Sequence, residues 1–139
     1  MFTLAGPAET LAGALTGLAG AAITEIDMTA WQGAHPAIGA LDVCPLVWLS
    51  EERREMAGEA ALEIGRAIGA MGVPVFLYGD VASDASRRER AYFRAGGLDA
   101  LWQRMSSGSL KPDFGPERPH PTAGATLVSA RAPLAAFNL

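Results

Sequence analysis

Several features that mark particular classes of protein are scarce or missing in this 139-residue sequence. It has a single cysteine, Cys44, so no internal disulfide can form, which is typical of a reducing compartment. It has no block of lysine or arginine and a formal net charge of −4, which argues against a nucleic-acid or anionic-membrane surface. The first 22 residues are apolar, but Glu9 interrupts them and no basic segment precedes them, unlike a signal peptide or a membrane span. We therefore expect a cytoplasmic protein.

Ligand sets for metals and nucleotides are missing as well. The two histidines, His35 and His120, lie 85 positions apart, and no ligand pair has helical spacing, so no metal site is predicted. No phosphate-binding loop or dinucleotide fingerprint occurs. Cys44 stands in an apolar stretch, where a thiol is usually inert packing and seldom a nucleophile.

The apolar pattern predicts one globular domain over residues 1–139, in which strands and helices alternate at first. Pro7 suits the first turn of a helix, and Pro45 indicates that its strand lies at an edge or contains a bulge. The elements predicted for the first part are a strand over residues 1–5, a helix over 7–22, a strand over 40–49, a helix over 51–71 and a strand over 73–78.

The second part of the chain is predicted to contain less regular structure. Two short helices are expected between residues 87 and 105, divided at Gly96 and Gly97. A proline-containing loop over residues 106–124 is followed by two closing strands, residues 125–129 and 134–138. This order predicts an α+β fold of ferredoxin-like type, with a mixed sheet and helices packed on one face.

The loop that contains His35 is the most informative stretch for function. Gly33 and Gly39 flank it, and Pro36 restricts the preceding residue to an extended backbone, which presents the imidazole. A histidine on such a loop suits general acid–base catalysis; the alternative is a loop histidine that hydrogen-bonds to backbone. Asp42 either caps a neighbouring loop or orients His35, since a buried carboxylate needs a donor in both cases.

Other candidate ligand-binding residues come after the strand over residues 73–78. Tyr78 and Gly79 lie at its end, where sites often form. Four arginines (Arg87, Arg88, Arg90 and Arg94) either hold a carboxylate-bearing ligand, such as a glutamate tail, or lie on a solvated helix face. The tryptophans at 31, 48 and 102 either stack on a flat heterocycle or pack in the core.

Several stretches resemble the formiminotransferase family. Residues 26–45, IDMTAWQGAHPAIGALDVCP, are similar to the family pattern I-D-M-x-x-H-x-G-E-H-P-R-x-G-A-x-D-V-x-P. Further matches follow in the same order, so the resemblance covers nearly the whole chain. They are VPVFLYGD, RR, RAG, LKPDFGP, GATLVSAR and AAFNL.

This resemblance implies a glutamate formimidoyltransferase, which moves a formimino group from N-formimidoyl-L-glutamate to N5 of tetrahydrofolate in histidine degradation. Family members have two similar α/β subdomains with folate bound between them. By resemblance, His35 is the general base and tetrahydrofolate is the acceptor substrate; Asp42 is the candidate partner that its position seven residues after His35 suggests. The residues expected near the folate are Gly33, Gly39, Tyr78, Gly79 and Arg88.

The sequence also departs from the family pattern. Trp31 replaces the earlier histidine of the loop, Ala34 replaces the glutamate before His35, and Ala37 replaces the arginine after Pro36. The resemblance further implies that the family's opening strand–helix unit and second subdomain have no counterpart in residues 1–139. Two hypotheses follow: an enzyme that works as a homo-oligomer, with a complementing subunit or in a longer chain, and a non-catalytic folate-binding or assembly module.

Overall fold

The computed structural model describes residues 1–34 and 36–135. This part of the chain contains four α-helices, three β-strands and three short 3₁₀ turns. In chain order the helices and strands are α1 (Ala8–Glu25), β1 (Val43–Val47), α2 (Arg54–Ala70), β2 (Val75–Gly79), α3 (Arg90–Arg94), α4 (Gly97–Ser106) and β3 (Thr126–Arg131).

The three strands form one parallel sheet in the order β1-β3-β2. Leu127 of β3 is in register with Val43 of β1 on one side and with Phe76 of β2 on the other. Because α2 connects β1 to β2 while β3 lies between them, the chain forms a split β-α-β unit. The predicted α+β fold is confirmed, and this unit is consistent with a ferredoxin-like arrangement. Among the described residues, antiparallel pairing is limited to isolated bridges, such as Gly39 with Gly124.

The first face of the sheet is the side that α2 covers, with α1 packed against α2. Ala61, Ile64 and Ile68 of α2 are almost completely buried there, as is Val128 of β3. These positions recur every three or four residues along α2, so one stripe of the helix meets the sheet. The predicted helix over residues 51–71 is confirmed; a 3₁₀ turn, Glu51–Arg53, precedes its α-helical part.

The second face of the sheet is covered by α3 and α4. Phe76 and Leu127 point to this side and contact a cluster that includes Phe93 of α3 and Leu101 of α4, all fully buried. Helices therefore lie on both faces of the sheet, whereas helices on one face were predicted from the sequence. The reason is that β2 and β3 carry buried residues at consecutive positions, so each face must be covered.

Two smaller predictions about the elements are confirmed, and one is wrong. The helices α3 and α4 are separated at Gly96, whose φ is +77°, and Pro45 lies in β1, an edge strand of the described sheet. Residues 1–5, predicted as a strand, form none and are exposed, since no described strand pairs with them. Of the predicted strand over residues 134–138, the first two residues are not in a strand and the rest lie outside the described residues.

The proline-containing loop over residues 106–124 is attached to β2. Asp113 and Phe114 donate their backbone N–H groups to the carbonyl of Val75, at 2.8 and 3.3 Å, and the Val75 N–H donates to the Phe114 carbonyl at 2.9 Å. Leu110 is buried against the second face. The loop therefore extends the packing of the sheet edge.

Candidate functional site

His35, the predicted general base, lies outside the described residues, and its role stays a prediction. Both of its chain neighbours are described. Ala34 is exposed, and Pro36 lines a surface pocket of about 590 Å³. The remaining wall of this pocket comes from the segment around α3: Glu89, Arg90, Ala91, Arg94 and Ala95.

Asp42 connects the loop after Pro36 to α3. Its Oδ1 accepts a hydrogen bond from the backbone N–H of Ile38 at 2.8 Å, and its Oδ2 forms an ion pair with the guanidinium of Arg94. Both side chains are largely buried, with 20% of Asp42 and 13% of Arg94 exposed. Both carboxylate oxygens therefore have partners, as expected of a cap on the neighbouring loop. Its predicted role beside His35 stays a prediction.

Gly39 is placed where two backbone segments touch. The Ala40 N–H donates to the Ala123 carbonyl at 2.9 Å, and the Ala125 N–H donates to the Ile38 carbonyl at 2.8 Å. A Cβ atom on Gly39 would lie 1.8 Å from the Ala125 carbonyl oxygen, which no side chain tolerates. Gly39 thus allows the close contact that fixes the end of the loop, a structural requirement beside its predicted position near folate.

Gly33 lies at the other end of the loop, next to Trp31. A Cβ atom on Gly33 would lie 2.1 Å from the indole ring, so the glycine lets the ring lie against the backbone. About half of the Trp31 surface is exposed, so this ring is not part of the core. Trp48 and Trp102, in contrast, pack with the residues of the first and second face respectively.

Tyr78 lies at the end of β2, on the second face, and only 6% of it is exposed. Burial raises the pKa of its phenol, and the nearby positive charges of Arg90 and Arg131 partly oppose that shift. The hydroxyl therefore stays protonated near neutral pH and can donate a hydrogen bond. Arg90, whose charge acts on Tyr78, also lines the pocket beside Pro36.

Gly79 and Arg88 lie apart from the lining of that pocket. Gly79 has a φ of +67° and ends β2 in a turn, with its N–H donating to the Arg88 carbonyl at 3.0 Å. The Arg88 side chain is 60% exposed and lies 3.4 Å from Asp80, which also pairs with Arg54 at 2.8 Å. Arg88 thus lies in an exposed ion-pair network, and its predicted contact with folate stays a prediction.

Comparison with known proteins assigns the family. Residues 1–131 match the family described as "Formiminotransferase domain, N-terminal subdomain". The chain belongs to the formiminotransferase family. It is 36% identical over 140 residues to glutamate formimidoyltransferase of Streptococcus pyogenes serotype M1, an alignment that covers all of this chain and 47% of the relative. It is 38% identical over 141 residues to formimidoyltransferase-cyclodeaminase of Sus scrofa, covering all of this chain and 26% of the relative.

A third relative is archaeal. The chain is 36% identical over 122 residues to glutamate formimidoyltransferase of Thermoplasma acidophilum, which covers 86% of this chain and 40% of the relative. The chain therefore spans about half, or less, of the length of the curated relatives that it matches. The resemblance found from the sequence motifs is confirmed.

A second largely buried ion pair, in addition to that of Asp42 with Arg94, was not predicted from the sequence. Arg87, predicted as part of a ligand-binding or solvated cluster, lies 2.6 Å from Asp113, and 11% of each side chain is exposed. Asp113 also accepts the Leu77 N–H at 2.8 Å, and the Arg87 guanidinium lies over the rings of Phe76 and Phe93. The pair is therefore structural. The two residues lie 26 positions apart, and no sequence spacing signals their contact.

Metal ligands and membrane-spanning helices can be assessed for the described residues. Residues 1–34 and 36–135 include no group of three or more histidine, cysteine, aspartate or glutamate side chains placed to hold a metal ion. No helix in this part of the chain is long and apolar enough to cross a bilayer. Cys44 is buried, and burial raises the pKa of its thiol to about 11, so little thiolate is available at neutral pH.

Proposed function

We propose that this chain contributes to the transfer of a formimino group from N-formimidoyl-L-glutamate to N5 of tetrahydrofolate, with His35 as general base. One observation carries the proposal: Pro36, the neighbour of His35, lines a pocket of about 590 Å³ whose opposite wall contains Arg90 and Arg94. Membership of the formiminotransferase family supports the reaction class. The single buried cysteine suits a cytoplasmic setting.

The chemistry assigned to His35 is one proton transfer in each direction. As folate N5 attacks the formimino carbon, the imidazole takes the proton from N5 and a tetrahedral intermediate forms. The bond from this carbon to the glutamate nitrogen then breaks, and the imidazolium returns the proton to that nitrogen, so glutamate leaves as an amine. Nearby hydrogen-bond donors would stabilise the tetrahedral intermediate.

Arg90 is the proposed anchor for a substrate carboxylate. Of the four arginines in this segment, Arg87, Arg88 and Arg94 each form an ion pair with an aspartate, whereas Arg90 forms none with the described residues. It is exposed and lines the pocket, and its charge adds to that of Arg94 and Arg131 near Tyr78. A guanidinium in this position can bind a carboxylate through two hydrogen bonds, and both substrates carry a glutamate moiety.

A larger assembly is the proposed setting for this reaction. Among the described residues, the pocket is lined by Pro36 and the segment around α3, and the curated relatives are at least twice as long as the aligned region. We propose that a second copy, a complementing subunit or further chain supplies the remaining wall. The second candidate function, a non-catalytic folate-binding or assembly module, is favoured by Ala34 and Ala37, which replace polar residues of the family pattern.

The test is a steady-state assay of transfer with His35→Ala, Arg90→Ala and, as a matched charge control, Arg118→Ala. Arg118 is exposed and far along the chain from the proposed site. We expect His35→Ala to lower kcat by about 10²–10⁴-fold. Arg90→Ala should chiefly raise KM for formimidoylglutamate, because it removes binding common to the ground and transition states.

Equal activity of the wild type and His35→Ala would rule out the role of the histidine. Calorimetric titration with folinic acid separates the two candidate functions. Binding without turnover, in the presence of any partner that the chain assembles with, would favour the non-catalytic module. The absence of both folinic acid binding and turnover would exclude the transferase and the folate-binding module.

A further inference from the structure

We infer that Arg94 is a positioning residue for the turn that carries His35, and that it acts through Asp42. This inference rests on the proposed role of His35 in the reaction. It goes beyond that role because it names the side chain, 52 positions away from Asp42, that holds the turn against the pocket wall. Sequence reasoning placed Arg94 only in a general basic cluster.

The first step of the argument is the position of Ile38. This residue is three positions after His35, it is completely buried, and its N–H donates to Asp42 Oδ1 at 2.8 Å. Only Pro36 and Ala37 separate it from His35, and the proline ring removes one backbone torsion between them. Fixing the Ile38 N–H therefore restricts the loop that begins directly after the predicted base.

The second step is the anchoring of Asp42. A carboxylate held only by a backbone N–H of its own loop would move with that loop. The ion pair of Asp42 Oδ2 with Arg94 instead connects the loop to α3. The helix is itself fixed to the core, because Phe93, the residue before Arg94, is fully buried and its ring centroid lies 5.2 Å from that of Phe76.

The third step is the location of this connection. The backbone contacts of Gly39 also hold the loop, but they join it to the segment before β3, on the side of Ala123 and Ala125. Arg94, in contrast, lines the same pocket as Pro36. Its side chain thus connects the loop after His35 to the pocket wall, and a displacement of about 1 Å of a catalytic group can cost about 10²-fold in rate.

The experiment compares Arg94→Ala, Arg94→Lys and the control Arg118→Ala, each assayed well below its melting temperature. Arg94→Ala should lower kcat by about 10–100-fold and change KM by less than about threefold, since positioning acts on the reacting geometry. Arg94→Lys restores one donor and the charge, and should recover at least a third of the lost rate on a logarithmic scale. A residue that only stabilises the fold would lower the melting temperature and leave kcat unchanged.

A second readout does not require turnover. Hydrogen exchange of the Ile38 amide should become at least tenfold faster in Arg94→Ala than in Arg118→Ala, and the NMR signals of the His35 ring should shift. Unchanged Ile38 exchange, or a kcat within twofold of the control, would overturn the inference. Normal turnover in His35→Ala would instead defeat the proposed function, and the exchange and ring signals would still decide the role of Arg94.

Discussion

The two faces of the sheet are covered in different ways. On the first face, α2 contacts the sheet through aliphatic and small side chains, and Ile64 and Ile68 are completely or almost completely buried. On the second face, two arginine–aspartate pairs, Arg87 with Asp113 and Arg94 with Asp42, lie beside the aromatic cluster around Phe93. The first pair joins the segment before α3 to the loop over residues 106–124, and the second joins α3 to Asp42, after the loop that contains Pro36.

The two faces are expected to have different roles, one mainly in the stability of the fold and the other also in the positioning of the loop at the pocket. Apolar packing on the first face is non-directional and tolerates small adjustments, whereas an ion pair fixes one side chain against another. Replacing both partners of a buried ion pair by apolar residues often leaves stability unchanged, whereas removing one partner is strongly destabilising. We expect changes on the first face to act on unfolding, and changes around Arg94 to act also on geometry at the pocket.

The largest expected effect comes from breaking the packing of the first face. Ile68→Ala should lower the free energy of unfolding by about 4 kcal/mol, because it removes a fully buried side chain and leaves a cavity. Ile26→Ala is the matched control, since 42% of that residue is exposed, and should cost less than about 1 kcal/mol. Urea unfolding measures both; similar losses for the two variants would contradict the burial assigned to α2.

A slightly smaller effect is expected from breaking the deeper ion pair of the second face. Asp113→Asn leaves the buried Arg87 guanidinium without a counter-charge and should cost about 3 kcal/mol in urea unfolding. The double variant Arg87→Met/Asp113→Asn should recover part of this loss, because it removes the uncompensated charge. A double variant less stable than Asp113→Asn would show that Arg87 contributes mainly through its ring contacts and its other hydrogen bonds.

The smallest effect concerns pH and the thiol of the first face. Burial raises the pKa of Cys44 from an ordinary value of 9.0 to about 11, so the unfolded chain loses this proton before the folded chain does. The protonated thiol therefore contributes about 2 kcal/mol to the free energy of unfolding. This contribution is fully present below pH 9 and is lost as the pH rises to 11. Thermal unfolding of the wild type and Cys44→Ala between pH 8 and 11 tests this; parallel curves would contradict it.

Local sequence signals predicted most of the elements correctly. Three features depend only on residues close together in the sequence, so the sequence pattern predicts them. They are the apolar stripe of α2, the run of residues that forms β2 and the break between α3 and α4 at Gly96. The strand predicted over residues 1–5 failed for the opposite reason. A short β-like run forms a strand only when another strand pairs with it, and no described strand does so.

The candidate site was predicted less completely. The loop motif drew attention to Gly39 and Asp42, and the arginine cluster was noted separately; the functional roles of these residues stay predictions. The contacts that give these residues different surroundings join positions 26 to 52 residues apart, such as Arg87 with Asp113 and Arg94 with Asp42. No periodicity reports such pairings, so the sequence could not separate the buried arginines from the exposed Arg88, nor from Arg90 at the pocket.

The central position of β3 has a consequence for the order in which the chain folds during synthesis. Both β1 and β2 form their ladders with β3 and not with each other, although β3 is translated last of the three. A ribosome-bound chain that ends before residue 126 would therefore hold two strands with open edges and a helix α2 that lacks the central strand of the sheet it covers. Such an intermediate exposes apolar surface until the final strand emerges, the stage at which chaperones are most useful to a nascent chain.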